Sequence, residues 1–153
     1  MMFGRRSLFK IEHHKRYLDT DRLSWCDITP MPTLLVADDS ELIRKTVKRL
    51  LEVEPAIEIL GEATNFAETI QKASELKPDV VLLDLHMPDE RSLDAEYIRM
   101  RLRPAGSEIK IIGISLSGND DQEARDLAAS LGACTVLEKS RFYEELIPTI
   151  LSC

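Results

Sequence analysis

From Thr33 onward the apolar positions of the chain follow two alternating patterns. Short unbroken runs of Val, Leu and Ile are followed by longer stretches in which apolar residues return every three or four positions. The first pattern suits strands buried on both faces, the second helices with one face on a core. TLLVA at 33–37, Ile57–Ala63, Val80–Asp84, Ile109–Ser115 and Thr135–Glu138 carry the strand pattern. A first helix is predicted from Ser40, a good N-cap residue, with Leu42, Ile43, Val47, Leu50 and Leu51 along one side. Further helices are predicted over Phe66–Leu76, Leu93–Arg101, Asp120–Leu131 and Arg141–Leu151, with Pro148 distorting the final turn of the last. Five strand–helix units in one domain of about 120 residues imply an α/β fold, a doubly wound parallel sheet with right-handed crossovers.

Residues 1–30 show no such period, although Leu8, Ile11 and Leu18 would fall near one face of a helix. They read as an N-terminal extension, flexible or non-native, ahead of a domain at 31–153, with Pro30 and Pro32 bracketing Met31 as a plausible natural start. His13 and His14 are adjacent and cannot share one helical face, so they read as a solvated pair rather than a metal site.

At 153 residues and 44% hydrophobic, the chain suffices for one well-buried domain. It has no stretch of the roughly 20 apolar residues a membrane span requires, nor a secretory leader, and a cytoplasmic protein is expected. Cys26, Cys134 and Cys153 are odd in number and lack CxxC or zinc-like spacing, so reduced thiols are expected. Residues 1–30 hold six Lys/Arg against four Asp/Glu, which leaves 14 against 23 in the body. An acidic body without a basic stripe argues against direct nucleic-acid binding.

In open parallel α/β sheets, ligands bind at the carboxyl ends of the strands. If the predicted strands are parallel, Asp38 and Asp39, Asp84, Ser115 and Lys139 all emerge on that edge. Singly, each has an ordinary explanation, as helix cap, strand serine or surface lysine. Together they form three crowded carboxylates that need a cation to stay ionised, and an all-oxygen set favours Mg²⁺ over zinc. A hydroxyl and an ammonium beside them suit a phosphoryl group, and the implied chemistry is attack by a carboxylate on phosphorus.

LLVADDS, VVLLDLHMP, IIGIS and VLEK, in this order and spacing from Thr33 to about Ile150, resemble the receiver domain of two-component response regulators. GEATNFAETI and GACTVLEKS are most similar to receivers of the NarL/FixJ kind. The resemblance implies a flavodoxin-like strand order 2-1-3-4-5 and a stand-alone phosphoacceptor domain that promotes only its own phosphorylation and dephosphorylation. It implies Asp84 as phosphoacceptor, with Ser115 and Lys139 in the hydroxyl and phosphate-binding roles. Mg²⁺, or Mn²⁺ as an alternative, would be held by Asp38, Asp39, Asp84 and the backbone carbonyl of His86.

The same resemblance places a histidine kinase or phosphotransfer protein near Leu42, Ile43, Arg44, Lys45 and Lys48. A downstream protein or a second copy is expected on 120–131, Val136 and 141–151. Val136 stands where the family usually has an aromatic ring or His that reports switching, Ser140 where many members have a cis-proline, Leu116 where the residue is usually small, and Ser92 where glycine is common. His86 and Ser117 correspond to positions that tune dephosphorylation. A phosphorylation-independent adaptor is therefore a second reading. A haloacid-dehalogenase-like phosphatase ranks third, because it needs an acid two residues after its nucleophile and this chain has His86 there.

Overall fold

The protein is described by a computed structural model covering residues 31–153. The chain alternates strand and helix: β1 (Thr33–Ala37), α1 (Glu41–Glu52), β2 (Glu58–Ala63), α2 (Phe66–Leu76), β3 (Val80–Asp84), α3 (Ala95–Leu102), β4 (Lys110–Ser115), α4 (Gln122–Leu131), β5 (Thr135–Glu138) and α5 (Phe142–Ser152). The strands pair in parallel, as their sequence pattern predicts, and in the order β2-β1-β3-β4-β5 that the resemblance implies.

Side chains alternate across the sheet and so divide the core in two. Leu35, Val81, Leu83 and Ile111 pack with Phe66, Ile98 and Leu131 under α2, α3 and α4. Leu34, Val36, Leu82 and Ile112 pack with Val47, Leu51, Leu146 and Ile150 under α1 and α5. β3 lies between β1 and β4 and every one of its residues is buried, which explains why its sequence does not alternate.

The helix starts differ from the sequence prediction where an acid caps rather than continues the helix. Asp94 accepts from the Tyr97 N–H and Asp121 from the Ala124 N–H, so α3 and α4 each begin two residues later than periodicity indicates. Ser40 caps α1 as predicted, accepting from the Ile43 N–H. α5 runs on through Pro148 to Ser152. Among the described residues, no helix is long and apolar enough to cross a membrane.

Cys134 and Cys153 are not the free thiols the sequence predicts: they form a disulfide, with Cα atoms 6.4 Å apart. The spacing gives no hint of it, but α5 returns the chain to the edge of the sheet where β5 began, and the two ends meet there. Cys26 and the expectations for residues 1–30 lie outside the described residues.

Candidate functional site

All five strands are parallel, so their carboxyl ends share one edge, and the predicted cluster assembles there. β1 releases Asp38 and Asp39, β3 ends in Asp84, β4 ends in Ser115, and β5 is followed directly by Lys139. Asp38, Asp84 and Ser115 are buried, while Asp39 faces solvent. The Lys139 ammonium lies 2.7 Å from Asp38 Oδ2 and 3.4 Å from Asp84 Oδ2. Asp38 Oδ2 is buried and has the nearer ion pair as its contact, with no hydrogen-bond donor to it among the described residues.

Backbone groups hold the other oxygens. Asp38 Oδ1 accepts from the Ser40 N–H at 2.8 Å, and Asp84 Oδ1 from the His86 N–H at 3.1 Å. Arg44, one turn into α1, donates from Nη1 to the Asp38 carbonyl at 2.8 Å. Ser115 Oγ donates to the Gly118 carbonyl at 3.4 Å, a weak bond that leaves the hydroxyl easy to recruit.

One ammonium faces three carboxylates. Burial and then the Asp38 charge push the Asp84 carboxyl up from 3.8 to about 6, against the pull of the His86 N–H and Lys139. Carboxylate oxygens of Asp38, Asp39 and Asp84 come within 4.8 Å of one another. The donors are hard oxygens, and the unrelieved negative charge is that of a divalent-cation site, so these residues fit Mg²⁺.

The His86 ring is turned to other partners. Its Nε2 lies 2.5 Å from Asp121 Oδ2 and its Nδ1 3.4 Å from Glu90 Oε2. The Asp121 carboxylate holds the imidazole above its ordinary pKa. Sequence reasoning missed this role of Asp121, whose only local signal is that of a helix cap. It also missed Asp89, whose carboxylate accepts from the Phe66 and Ala67 amides at 2.8 and 3.0 Å, so that the loop after Asp84 caps α2.

The basic residues of α1 are engaged within the domain. Arg44 and Lys48 both bind Glu62 at the end of β2, at 3.1 and 2.5 Å, and Lys45 binds Glu41 at 2.9 Å. Leu42 beside them is 72% exposed. On the expected output face Val136 is buried, whereas Tyr143 and Leu151 are exposed. Leu116, which stands where the residue is usually small, is also exposed.

Comparison with known proteins agrees with this geometry. The profile of the response regulator receiver domain family matches residues 34–151. The response regulator GacA of Pseudomonas syringae pv. syringae (strain B728a) is 33% identical over 120 residues, which cover 78% of this chain and 54% of GacA, so this chain spans about half the length of that relative. The signal receiver domain of the putative response regulator NarL from Mycobacterium tuberculosis superposes with a TM-score of 0.69 at 26% identity, covering 82% of this chain and 97% of the other. A chain from the crystal structure of the P1 domain of CheA3 in complex with CheY6 from R. sphaeroides shares the fold, with a TM-score of 0.66 at 19% identity over 82% of this chain and all of that one.

Proposed function

Because the chain belongs to the response regulator receiver domain family, we propose that it accepts a phosphoryl group on Asp84 from a histidine kinase or phosphotransfer protein. The observation that carries this is the placement of the Asp84 carboxylate, buried at the end of the central strand between the Lys139 ammonium and a second acidic pair. An Asp84 oxygen attacks phosphorus as the bond from phosphorus to the donor's imidazole nitrogen breaks, and the displaced imidazole takes up a proton.

Asp38, Asp39, Asp84 and the His86 carbonyl would hold Mg²⁺, which when bound neutralises charge on the phosphoryl oxygens. Lys139 supplies positive charge to the same oxygens, and the Asp84 carboxylate is held in line by the His86 N–H. Ser115 is placed at the neighbouring strand end to follow the new phosphoryl group, which its weak bond to Gly118 permits. The output is a shifted equilibrium between two conformations of the surface formed by 120–131, Val136 and 141–151. Residues 31–153 constitute the signalling unit, which works in the cytoplasm, and the donor approaches over Leu42, Ile43 and the basic residues of α1.

Val136 favours a second reading. With an aliphatic side chain buried where a mobile ring would report the state of Ser115, the surface would present one conformation to a partner regardless of phosphorylation.

Intact mass after incubation with acetyl phosphate and Mg²⁺ tests the first reading. A single phosphoryl adduct is expected that needs the metal and is absent from Asp84→Asn. Folded protein that gains no adduct overturns it in favour of the second.

A further inference from the structure

Two of the three cysteines take no part in the site, yet the fold brings them together. We propose that Cys134 and Cys153 form a reversible oxidation site for low-molecular-weight disulfides of the glutathione class, closing β5 and α5 into one covalent loop.

The positions of both residues are set by backbone bonds that do not depend on sulfur. The Cys134 N–H donates to the Ile111 carbonyl at 2.7 Å as the chain enters β5, and the Cys153 N–H donates to the Thr149 carbonyl at 3.0 Å as it leaves α5. The resulting Cα separation of 6.4 Å lies in the span a disulfide bridges. Reduction therefore leaves the two thiols side by side, ready to close again. Cys134 is exposed and Cys153 half-buried against the core, so a small thiol or disulfide reaches the pair from solvent.

The reaction balances without a metal or cofactor. One cysteine thiolate attacks the small disulfide, forming a mixed disulfide and releasing one small thiol. The second thiolate attacks the protein sulfur of that mixed disulfide and releases the other. The two cysteines lose two electrons between them, the small disulfide gains them, and the protons leave on the two thiols.

The bond acts on the end of α5. Pro148 has no N–H to donate to the Glu144 carbonyl, so one helical bond is missing just before the final turn. The disulfide fastens that turn to the first residue before β5. Lys139 lies inside the closed loop but is held by Asp38 and Asp84. Oxidation is therefore expected to stiffen the α5 surface while leaving phosphoryl acceptance unchanged, and the redox inference stands or falls independently of the phosphoacceptor reading.

The test equilibrates the full chain in graded mixtures of reduced and oxidised glutathione, followed by differential alkylation and peptide mapping. One two-electron transition joining Cys134 to Cys153 is expected. The oxidised form should melt about 10 °C above the reduced form, given a closed loop of 19 residues in a domain of this size. Amides of 149–152 should exchange faster on reduction, and Cys153→Ser should melt at the reduced temperature in every mixture. Thiols at Cys134 and Cys153 that stay alkylatable throughout, pairing of either with Cys26, or equal melting of the two forms would each overturn the proposal.

Discussion

Asp84 carries a measurable cost in stability. Its carboxyl is raised from 3.8 to about 6 in the folded protein, and about two units correspond to roughly 3 kcal/mol of disfavoured ionisation once both folded and unfolded chains are deprotonated. The sign follows from proton uptake. Between about pH 4 and pH 6 the folded state holds the proton more tightly than the unfolded state, so this group's stability is fully present below about pH 4 and is lost as the pH rises through about 6.

Asp84→Asn keeps the size of the side chain and an oxygen for the His86 N–H, and removes the charge. Urea denaturation without divalent metal should therefore find the variant more stable than wild type by ~3 kcal/mol near pH 8, and by only ~1 kcal/mol near pH 4.5. Adding Mg²⁺ near pH 8 should stabilise the wild type and close most of the gap, since a bound cation favours the ionised carboxylate. A variant no more stable than wild type near pH 8, or a gain of equal size at both pH values, would refute this account of the site's electrostatics.

Asp89→Ala removes the acceptor shared by the Phe66 and Ala67 amides and should cost about 1–2 kcal/mol in thermal melting. An unchanged melting temperature would show that water replaces the cap. Glu68, held down to about 2 first by Lys72 and then by Thr64, stabilises the fold above its ordinary range. Glu68→Gln should therefore lose about 1 kcal/mol near neutral pH and progressively less as the pH falls below about 4.5. Charge reversal at Lys45 and Lys48, neither of which touches the site, should slow phosphotransfer from the cognate kinase while sparing acetyl phosphate, whereas equal losses with both donors would exclude docking there. Glu62→Gln, which removes the charge that holds Lys48, should speed transfer from the same kinase, as measured by stopped phosphorylation time courses.

The strand ends and the clustering of the five candidate residues were legible because periodicity and chain order determine them: an unbroken apolar run ends in Asp84, and parallel pairing then brings Asp38, Asp39, Ser115 and Lys139 to the same edge. What escaped was every pairing between distant positions. Periodicity assigns Arg44 and Lys48 to an exposed helix face, but only the order of β2 next to β1 puts Glu62 within reach of both. Cys134 and Cys153 meet for a similar reason, because the last helix retraces the length of the strand before it. Asp89 and Asp121 look alike in sequence, yet one caps a helix 22 residues upstream while the other caps its own helix and holds His86.

Asp89 also fixes one side of the loop that follows Asp84. Its two bonds to the start of α2 clamp the loop after Asp84 to that helix, which itself is capped by Asn65 and packed on the central strands. On the other side of Asp84, the turn after Ser115 is closed by backbone bonds from Asp120 to Ser117 and from Asp121 to Gly118, and Asp121 joins it to His86 in the same loop. α2 is thus the stator of the domain, and the loop after Asp84 is coupled on its other side to the start of α4 through His86 and Asp121.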